Sequence, residues 1–436
     1  MEYRQLHRFL IGIFAAVLSL ALFWGANLMI QAKETPKRIT LIYTNDTLGT
    51  LQPCGCGGRN TGGLPRRATY IQKVLSENPN AIIVESGDLA FAVNPAQPTA
   101  QIEAVADAFK YMNYTAVGVG PIDIRMGEHF YKVLKQKGIP VINIDTVETE
   151  GAIPYMIKEI SGVRVGIAAF GAVPPDRRND LELLKKRYQA FSDARKQSDI
   201  LILLDQGNIA TDEWLQENRN RLGSPDIIVG GCNRIGLNEP KWVGQTMIVP
   251  TSTMGEYVGR VDIVIDNDKK KMTYSRTLID PVIEPNPDVD KIVQDYVKSQ
   301  SVQTQTQTQA STNQALPYYP YQTCVGCHPA AYEHWKTTRH SKALSTLLQK
   351  EKAIPDCLPC HSDMYRLTKR ITVSADQTGG VECMACHANV LPHGAEYKKK
   401  GDTEAIKAAC LECHTKERSA NFEPTTAYER IRHASK

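Results

Sequence analysis

Four pentads near the C-terminal end constrain this chain more than anything else in it. They are Cys324-Val325-Gly326-Cys327-His328, Cys357-Leu358-Pro359-Cys360-His361, Cys383-Met384-Ala385-Cys386-His387 and Cys410-Leu411-Glu412-Cys413-His414. At this chain's cysteine and histidine frequencies, one C-x-x-C-H is expected by chance about 0.006 times, so four of them reflect a requirement. Two thiols three positions apart project from one turn and can add to the two vinyl groups of a porphyrin, and the next histidine then reaches its iron. The eight cysteines are therefore read as attachment points for four haem c groups, with His328, His361, His387 and His414 as proximal iron ligands. Zinc is the competitor, because paired C-x-x-C units about 20 residues apart suit a zinc ribbon. A four-cysteine zinc site has no use for a histidine after every pair.

Residues 317–436 hold eight of the eleven cysteines and eight of the ten histidines, with few candidate strands. A mainly α domain packed around apolar macrocycles is expected there. The histidines outside the pentads, His334, His340, His393 and His433, equal the haems in number and are candidate distal ligands, with Met364 or Met384 as substitutes. Bis-histidine ligation lacks the methionine that raises potentials and points to low or moderate ones.

The first pentad is followed by Tyr332, Trp335, His340 and Ala343, and in this the C-terminal domain alone resembles the cytochrome c-554 family. The resemblance implies closely stacked haems that pass electrons between soluble partners, with His340 at a distal-ligand position. The expected partners are redox proteins, either other cytochromes or a quinol-oxidising membrane complex.

Upstream, β-branched runs at Ile39–Thr44, Ala81–Glu85, Thr115–Val119, Val141–Ile144, Ile200–Leu204 and Asp226–Val229 alternate with helical patterns. The helical patterns lie at Pro65–Ser76, Thr99–Tyr111, Glu128–Gln136, Asp180–Lys196 and Thr211–Arg221. This predicts an α/β fold with a buried, mixed sheet, and the hairpin-like Tyr155–Ala169 and Val258–Thr277 favour a layered α-β-β-α sandwich. Four segments result: a signal sequence or membrane anchor at 1–36, the α/β domain at 37–297, a Gln/Thr/Ser-rich linker at 298–316 and the tetrahaem domain at 317–436.

The segments ITLIYTNDTLG (Ile39–Gly49), ESGDLA (Glu85–Ala90), DIIVGG (Asp226–Gly231) and GEYVGRVDI (Gly255–Ile263) resemble the 5'-nucleotidase branch of the metallophosphoesterases. That family implies a dimetal site that attacks phosphate esters with metal-bound water. Asp46 and Asp88 match its two metal-binding aspartates. Its histidine positions read Leu48, Ile122, Asp205 or Gln206, and Cys232 with Arg234, around Asn233, so every histidine ligand has gone. With Asp123 or Asp205, the two aspartates could still hold a hard ion, but a standard dimetal hydrolase is not expected. Cys54 and Cys56, in a glycine-rich loop after the first strand, and Cys232 belong to strand ends where α/β sheets form their crevice. They admit three readings: a structural disulfide, a redox-active pair, or ligands of an additional metal ion. Arg59, Arg66 and Arg67 would form an anion-attracting rim beside that loop.

Phe9 to Ala32 carries no charge, follows Arg4 and Arg8, and at about 20 residues is long enough to span a bilayer. Export is expected, with the protein periplasmic or extracytoplasmic, anchored if the segment is retained and secreted if it is cleaved. With 51 basic and 47 acidic residues well mixed, charge gives no nucleic-acid tract. The expected function is electron transfer, with the α/β domain a degenerate binding or docking module. The alternatives are an oxidoreductase using Cys54 and Cys56 on a sulfur-type substrate, and a metal-dependent phosphoesterase.

Overall fold

The computed structural model describes residues 35–53, 60–90, 98–146, 151–171, 180–207, 212–230, 237–267, 269–310, 318–350, 352–368, 380–388, 402–415, 418–419 and 421–433, with six positions between 8 and 19. The expected N-terminal anchor falls largely outside these residues. Among them, no helix is long and apolar enough to cross a membrane.

The first strands are β1 (Lys37–Thr44), β2 (Ile82–Glu85), β3 (Ala116–Val117), β4 (Val141–Ile142), β5 (Ala152–Ile153), β6 (Tyr155–Ile160) and β7 (Val163–Phe170). There follow β8 (Ile200–Asp205), β9 (Ile227–Gly230), β10 (Lys241–Val243), β11 (Thr246–Val249), β12 (Tyr257–Asp266) and β13 (Lys269–Leu278). They form a seven-stranded sheet in the order β13-β12-β1-β2-β3-β4-β5 and a six-stranded sheet in the order β10-β11-β9-β8-β7-β6. The inner pairs β1–β2, β2–β3, β7–β8 and β8–β9 are parallel, and the two expected hairpins, β6–β7 and β12–β13, are antiparallel.

Side-chain alternation along each strand builds the layers. Leu41, Tyr43, Ile82 and Val84 of one sheet meet Ile200, Ile202, Leu204 and Val229 of the other in a shared core. Ile42 and Ile83 point the opposite way, toward the helices Leu64–Glu77, Pro98–Tyr111 and Glu128–Gln136. Leu201 and Leu203 likewise face the helices Leu181–Gln197 and Asp212–Leu222. Strands buried on both faces need continuous apolar runs, which is why these segments read as uninterrupted Ile, Leu and Val. The result is the expected α-β-β-α sandwich.

The segment read as a linker differs from expectation. A helix begins at Pro287 and its backbone continues to Ala310. Val289, Val293 and Tyr296 fix its first turns against the core beneath the first two helices, and glutamine propagates a helix well once it is nucleated. Beyond it, the described residues between 318 and 433 form short helices. The cluster of buried apolar side chains there is small, consisting of Leu344, Leu347, Leu358 and Tyr365.

Phe109 is fully buried between helix and sheet and stacks on Tyr114 with ring centroids 3.8 Å apart. Phe109→Ala is expected to cost about 3–5 kcal/mol in urea unfolding followed by far-ultraviolet circular dichroism. A loss under about 1 kcal/mol would show that this core does not stabilise the α/β domain as described.

Candidate haem centre and strand-end site

Local backbone geometry brings the parts of each pentad together. The N–H of His328 donates to the carbonyl of Cys324, and that of His414 to the carbonyl of Cys410, each at 2.9 Å. One turn therefore carries both thiols and the imidazole. The second and third pentads lie on the helices Leu358–His361 and Cys383–His387. None of the eight cysteines is in a disulfide.

Two motif histidines have their Nδ1 engaged, and the carbonyl partner of His361 fixes its tautomer as the one a metal requires. The Nδ1 of His361 donates to the carbonyl of Ala343 at 3.0 Å, and the Nδ1 of His414 lies 3.2 Å from the hydroxyl of Ser419. Fixing Nδ1 this way leaves Nε2 for iron. Phe422 stacks on the His414 ring at 4.2 Å, setting its plane.

The four pentads fold close together. Cys360 hydrogen-bonds Cys413, Cys383 hydrogen-bonds Cys324, and Cys386 lies beside Cys410. Tyr321, Tyr332 and Trp335 form an aromatic group whose indole donates to the Val381 carbonyl at 2.9 Å, fastening the first pentad to the third. Tyr332 and Trp335 thus have a packing role.

The histidines outside the pentads separate by environment. His340 lies 6.3 Å from His414, ring centroid to centroid, and His433 lies 5.7 Å from His387. Burial, and then the neighbouring His414, lower the proton affinity of His340, which favours the neutral imidazole. His334 instead donates its Nε2 hydrogen to the Ile431 carbonyl at 3.2 Å. Met384 is buried and accepts a hydrogen bond from the Tyr319 N–H at its sulfur. His393 lies outside the described residues. These features fit c-type haem: paired thiols on one turn, histidines with Nδ1 engaged, and a helical part whose side chains build only a small apolar cluster.

The second site is the crevice at the strand ends of the sandwich. Asp46, Leu48 and Asp88 have φ of 47°, 50° and 52°, a left-handed conformation costly for residues with a Cβ. Asp46 and Asp88 thus keep the unusual backbone of a site. Their carboxylates, however, are engaged by donors. Asp46 accepts from the amides of Gln206 and Asn45, each at 2.9 Å. Asp88 accepts from the Ile122 N–H at 2.8 Å, and Asp123 from Ala90 and Gly120 N–H at 2.9 Å each. Gly120 admits no side chain, because a Cβ would sit 2.0 Å from Asp88 Oδ1.

Burial, followed by the neighbouring charges of Asp88 and Glu85, raises the Asp46 pKa to about 7 against the hydrogen bond from Gln206. Asp123 is also raised well above the ordinary range, by burial and by Asp88. Side-chain amides and backbone N–H groups thus satisfy these carboxylate oxygens. Asp205 is fully buried at the end of β8. Among the described residues, no three His, Cys, Asp or Glu side chains group as a metal ion would need. Cys54, Cys56, Cys232, Asn233, Arg234 and Arg59 lie outside them.

Arg67 departs from expectation. It belongs to the buried face of the Leu64–Glu77 helix with Leu64, Ala68 and Ile71, so it is part of the interior and not of a rim. Its guanidinium lies 3.9 Å from Glu85 and donates to the Thr47 hydroxyl at 3.0 Å. Glu85, fully buried, also accepts from Thr44 and Thr47. Arg66 binds the Asn60 carbonyl at 2.7 Å. A buried Arg–Glu pair of this kind was detectable in the sequence only as a charge at a core position of the helical period.

Residues 323–388 match the family described as Cytochrome c554 and c-prime. The cytochrome c-554 of Nitrosomonas europaea is 28% identical, over 20% of this chain and 44% of its own length. The chain therefore spans less than half of that curated relative. The 5'-nucleotidase precursor of Thermus thermophilus superposes with a TM-score of 0.50 at 19% identity, covering 60% of this chain and 59% of its own. The sulfate thiohydrolase SoxB of the same organism, solved with glycerol, gives 0.50 at 15% identity, covering 60% of each chain. At such identities these superpositions establish fold alone. The chain thus combines an N-terminal sandwich with the fold seen in 5'-nucleotidases and a C-terminal segment, residues 323–388, similar to the cytochrome c554 family.

Asp46 binds its proton more tightly in the folded than in the unfolded chain. Its stabilising contribution is complete below the ordinary value of 3.8 and is lost as pH rises through about 7. Stability should fall across that window. Asp46→Asn should flatten the fall and leave the protein relatively more stable at pH 8, as read by denaturant midpoints from pH 4 to 8. An unchanged slope would contradict the assignment.

Proposed function

We propose that this chain is an extracytoplasmic electron carrier with four covalently bound c haems, and that its sandwich domain is a docking module that has lost dimetal hydrolase chemistry. The observation that carries the haem reading is the spacing of the two histidine pairs. Imidazoles on opposite sides of one iron, each nitrogen about 2 Å from the metal, put their ring centroids about 6 Å apart. His340 with His414, at 6.3 Å, and His387 with His433, at 5.7 Å, lie near that span. His340 is accordingly assigned as distal ligand at the fourth pentad and His433 at the third.

Haem c supplies reversible one-electron chemistry when bound. The protein's part would be to hold and orient it: the paired cysteines of each pentad would hold the porphyrin through thioethers, the Ala343 carbonyl and Ser419 hydroxyl would orient the His361 and His414 imidazoles, and the contacts between pentads would keep the attachment sites close together. Two histidines at an iron leave no open position for a substrate, which favours carriage over catalysis. The partners are redox proteins, either other cytochromes or a quinol-oxidising membrane complex, met outside the cytoplasm where c-type haem is attached. An N-terminal segment without charge from Phe9 to Ala32 supports export and an anchor.

The loss of hydrolase chemistry is supported by the Gln206 and Asn45 amides on Asp46 and by the backbone N–H groups on Asp88 and Asp123. Donors that already occupy carboxylate lone pairs oppose a cation at the same oxygens.

The pyridine-haemochrome assay is expected to give four haems per chain. His340→Ala and His433→Ala should each convert one haem to high spin in electron paramagnetic resonance, two different haems in the two variants, while His334→Ala leaves all signals in place. Failure of His340→Ala to change any haem would sink the ligand assignment. No release of phosphate from simple esters with Mn, Zn or Mg is expected, and turnover above background would restore the hydrolase reading.

A further inference from the structure

One carboxylate joins the two parts of the chain. Asp356 immediately precedes Cys357, the first attachment point of the second pentad. It is part-buried, and its Oδ2 accepts a hydrogen bond from the Tyr296 hydroxyl at 2.8 Å. The side chain of Gln101 also hydrogen-bonds it. Tyr296 and Gln101 both belong to the sandwich domain, on the helices Pro287–Ala310 and Pro98–Tyr111. Two residues before Asp356, Ile354 is buried in the same core cluster as Val289, Val293 and Tyr296, and Cys357 packs against that cluster. Among the described residues, the second pentad's attachment segment is built into the sandwich core through Ile354 and Cys357.

The contact continues inward. The Gln101 amide also donates to the Gly49 carbonyl at 3.1 Å. Gly49 has φ +62°, and a Cβ there would lie 2.7 Å from Gln101, so the loop and the glutamine are fitted to each other. Gly49 stands three residues after Asp46 in the loop that leaves β1. A short series of hydrogen bonds thus leads from the strand-end crevice to the attachment point of one haem. On the other side, Arg418 donates to Cys360 Sγ at 2.9 Å and attracts Asp356. Burial raises the proton affinity of Asp356, and Tyr296, Gln101 and Arg418 all act in the opposite sense.

We propose that Asp356 is a positioning residue through which the sandwich domain lowers the potential of the haem carried by Cys357 and Cys360 more than that of any other haem. This rests on the haem reading above. A negative charge held beside a haem stabilises the oxidised iron, which carries one more positive charge than the reduced iron, and in a part-buried site that interaction is weakly screened. The sandwich supplies the donors that hold the charge in place, so a domain without haem helps set the driving force at one haem in the series. Gln101 extends the effect to the β1 loop, so whatever moves that loop is felt at the second haem.

The test is an optical redox titration of the full-length holoprotein at pH 8, resolving four midpoint potentials. Asp356→Asn should shift one of the four upward more than the rest. Tyr296→Phe and Gln101→Leu, both outside the haem domain, should move that same potential by less, and Asp356→Glu should restore most of the original value. A double variant, Cys357→Ala with Cys360→Ala, should remove the most shifted component, and adding Asp356→Asn to it should then leave only the smaller shifts. Equal movement of all four potentials, or of none, in Asp356→Asn and Tyr296→Phe would overturn the proposal. A pyridine-haemochrome count left unchanged by the double cysteine variant would overturn the haem reading itself and the proposal with it.

Discussion

Double-sided burial of the inner strands is the constraint on which this structure depends. Because Leu41 and Tyr43 must face one core while Ile42 faces another, β1 has a single register in which all are covered, and the same holds for β2 and β8. A fixed register delivers Asp46, Asp88 and Gln206 to one edge of the sandwich. The crevice is a consequence of strand packing. Its charge is satisfied from within the chain, with side-chain amides and backbone N–H groups directed at the carboxylates.

The two halves of the chain solve the problem of making an interior differently. The sandwich fills its layers with aliphatic side chains and admits polar groups only in closed arrangements, such as Arg67 with Glu85 and Thr47. A buried pair of this kind is a weak source of stability, since desolvation offsets most of its attraction. Its visible effect is to tie the loop after β1 to the end of β2 and to the first helix. The helical half has short elements and a small apolar cluster. It is organised around the chemistry of its cysteines and histidines, with carbonyls, a hydroxyl and aromatic rings setting imidazole orientation.

Much of this was legible in the sequence, and the boundary of legibility has a physical meaning. The strands and helices that periodicity places fall within about two residues of those positions, because doubly buried strands and amphipathic helices write their environment into consecutive residues, whereas the short β5, β10 and β11 and the Pro121–Arg125 helix carry too few residues to show a period. The pentads were legible because thioether attachment is local. Arg67 was misplaced because a charged side chain carries no mark of its partner, and Glu85 stands 18 positions away on another element. The extension of the Pro287–Ala310 helix through a Gln/Thr/Ser-rich stretch was hidden because composition alone does not reveal that a packed first half nucleates the second. The spatial pairing of His340 with His414, and of Asp356 with Tyr296, depends on how separate elements are brought together. No spacing rule gives that.

The seating of Cys357 against the sandwich core bears on how such a protein is made. A thiol that has to meet a vinyl group must be reachable while the bond forms, yet in the finished structure this one packs against residues of the helix that begins at Pro287. Synthesis runs from the sandwich toward the pentads, so the surface that receives Ile354 and Cys357 exists before the pentads emerge. On the haem reading proposed above, the bond at Cys357 forms before that thiol packs against the helix, so maturation and docking use the same segment in turn.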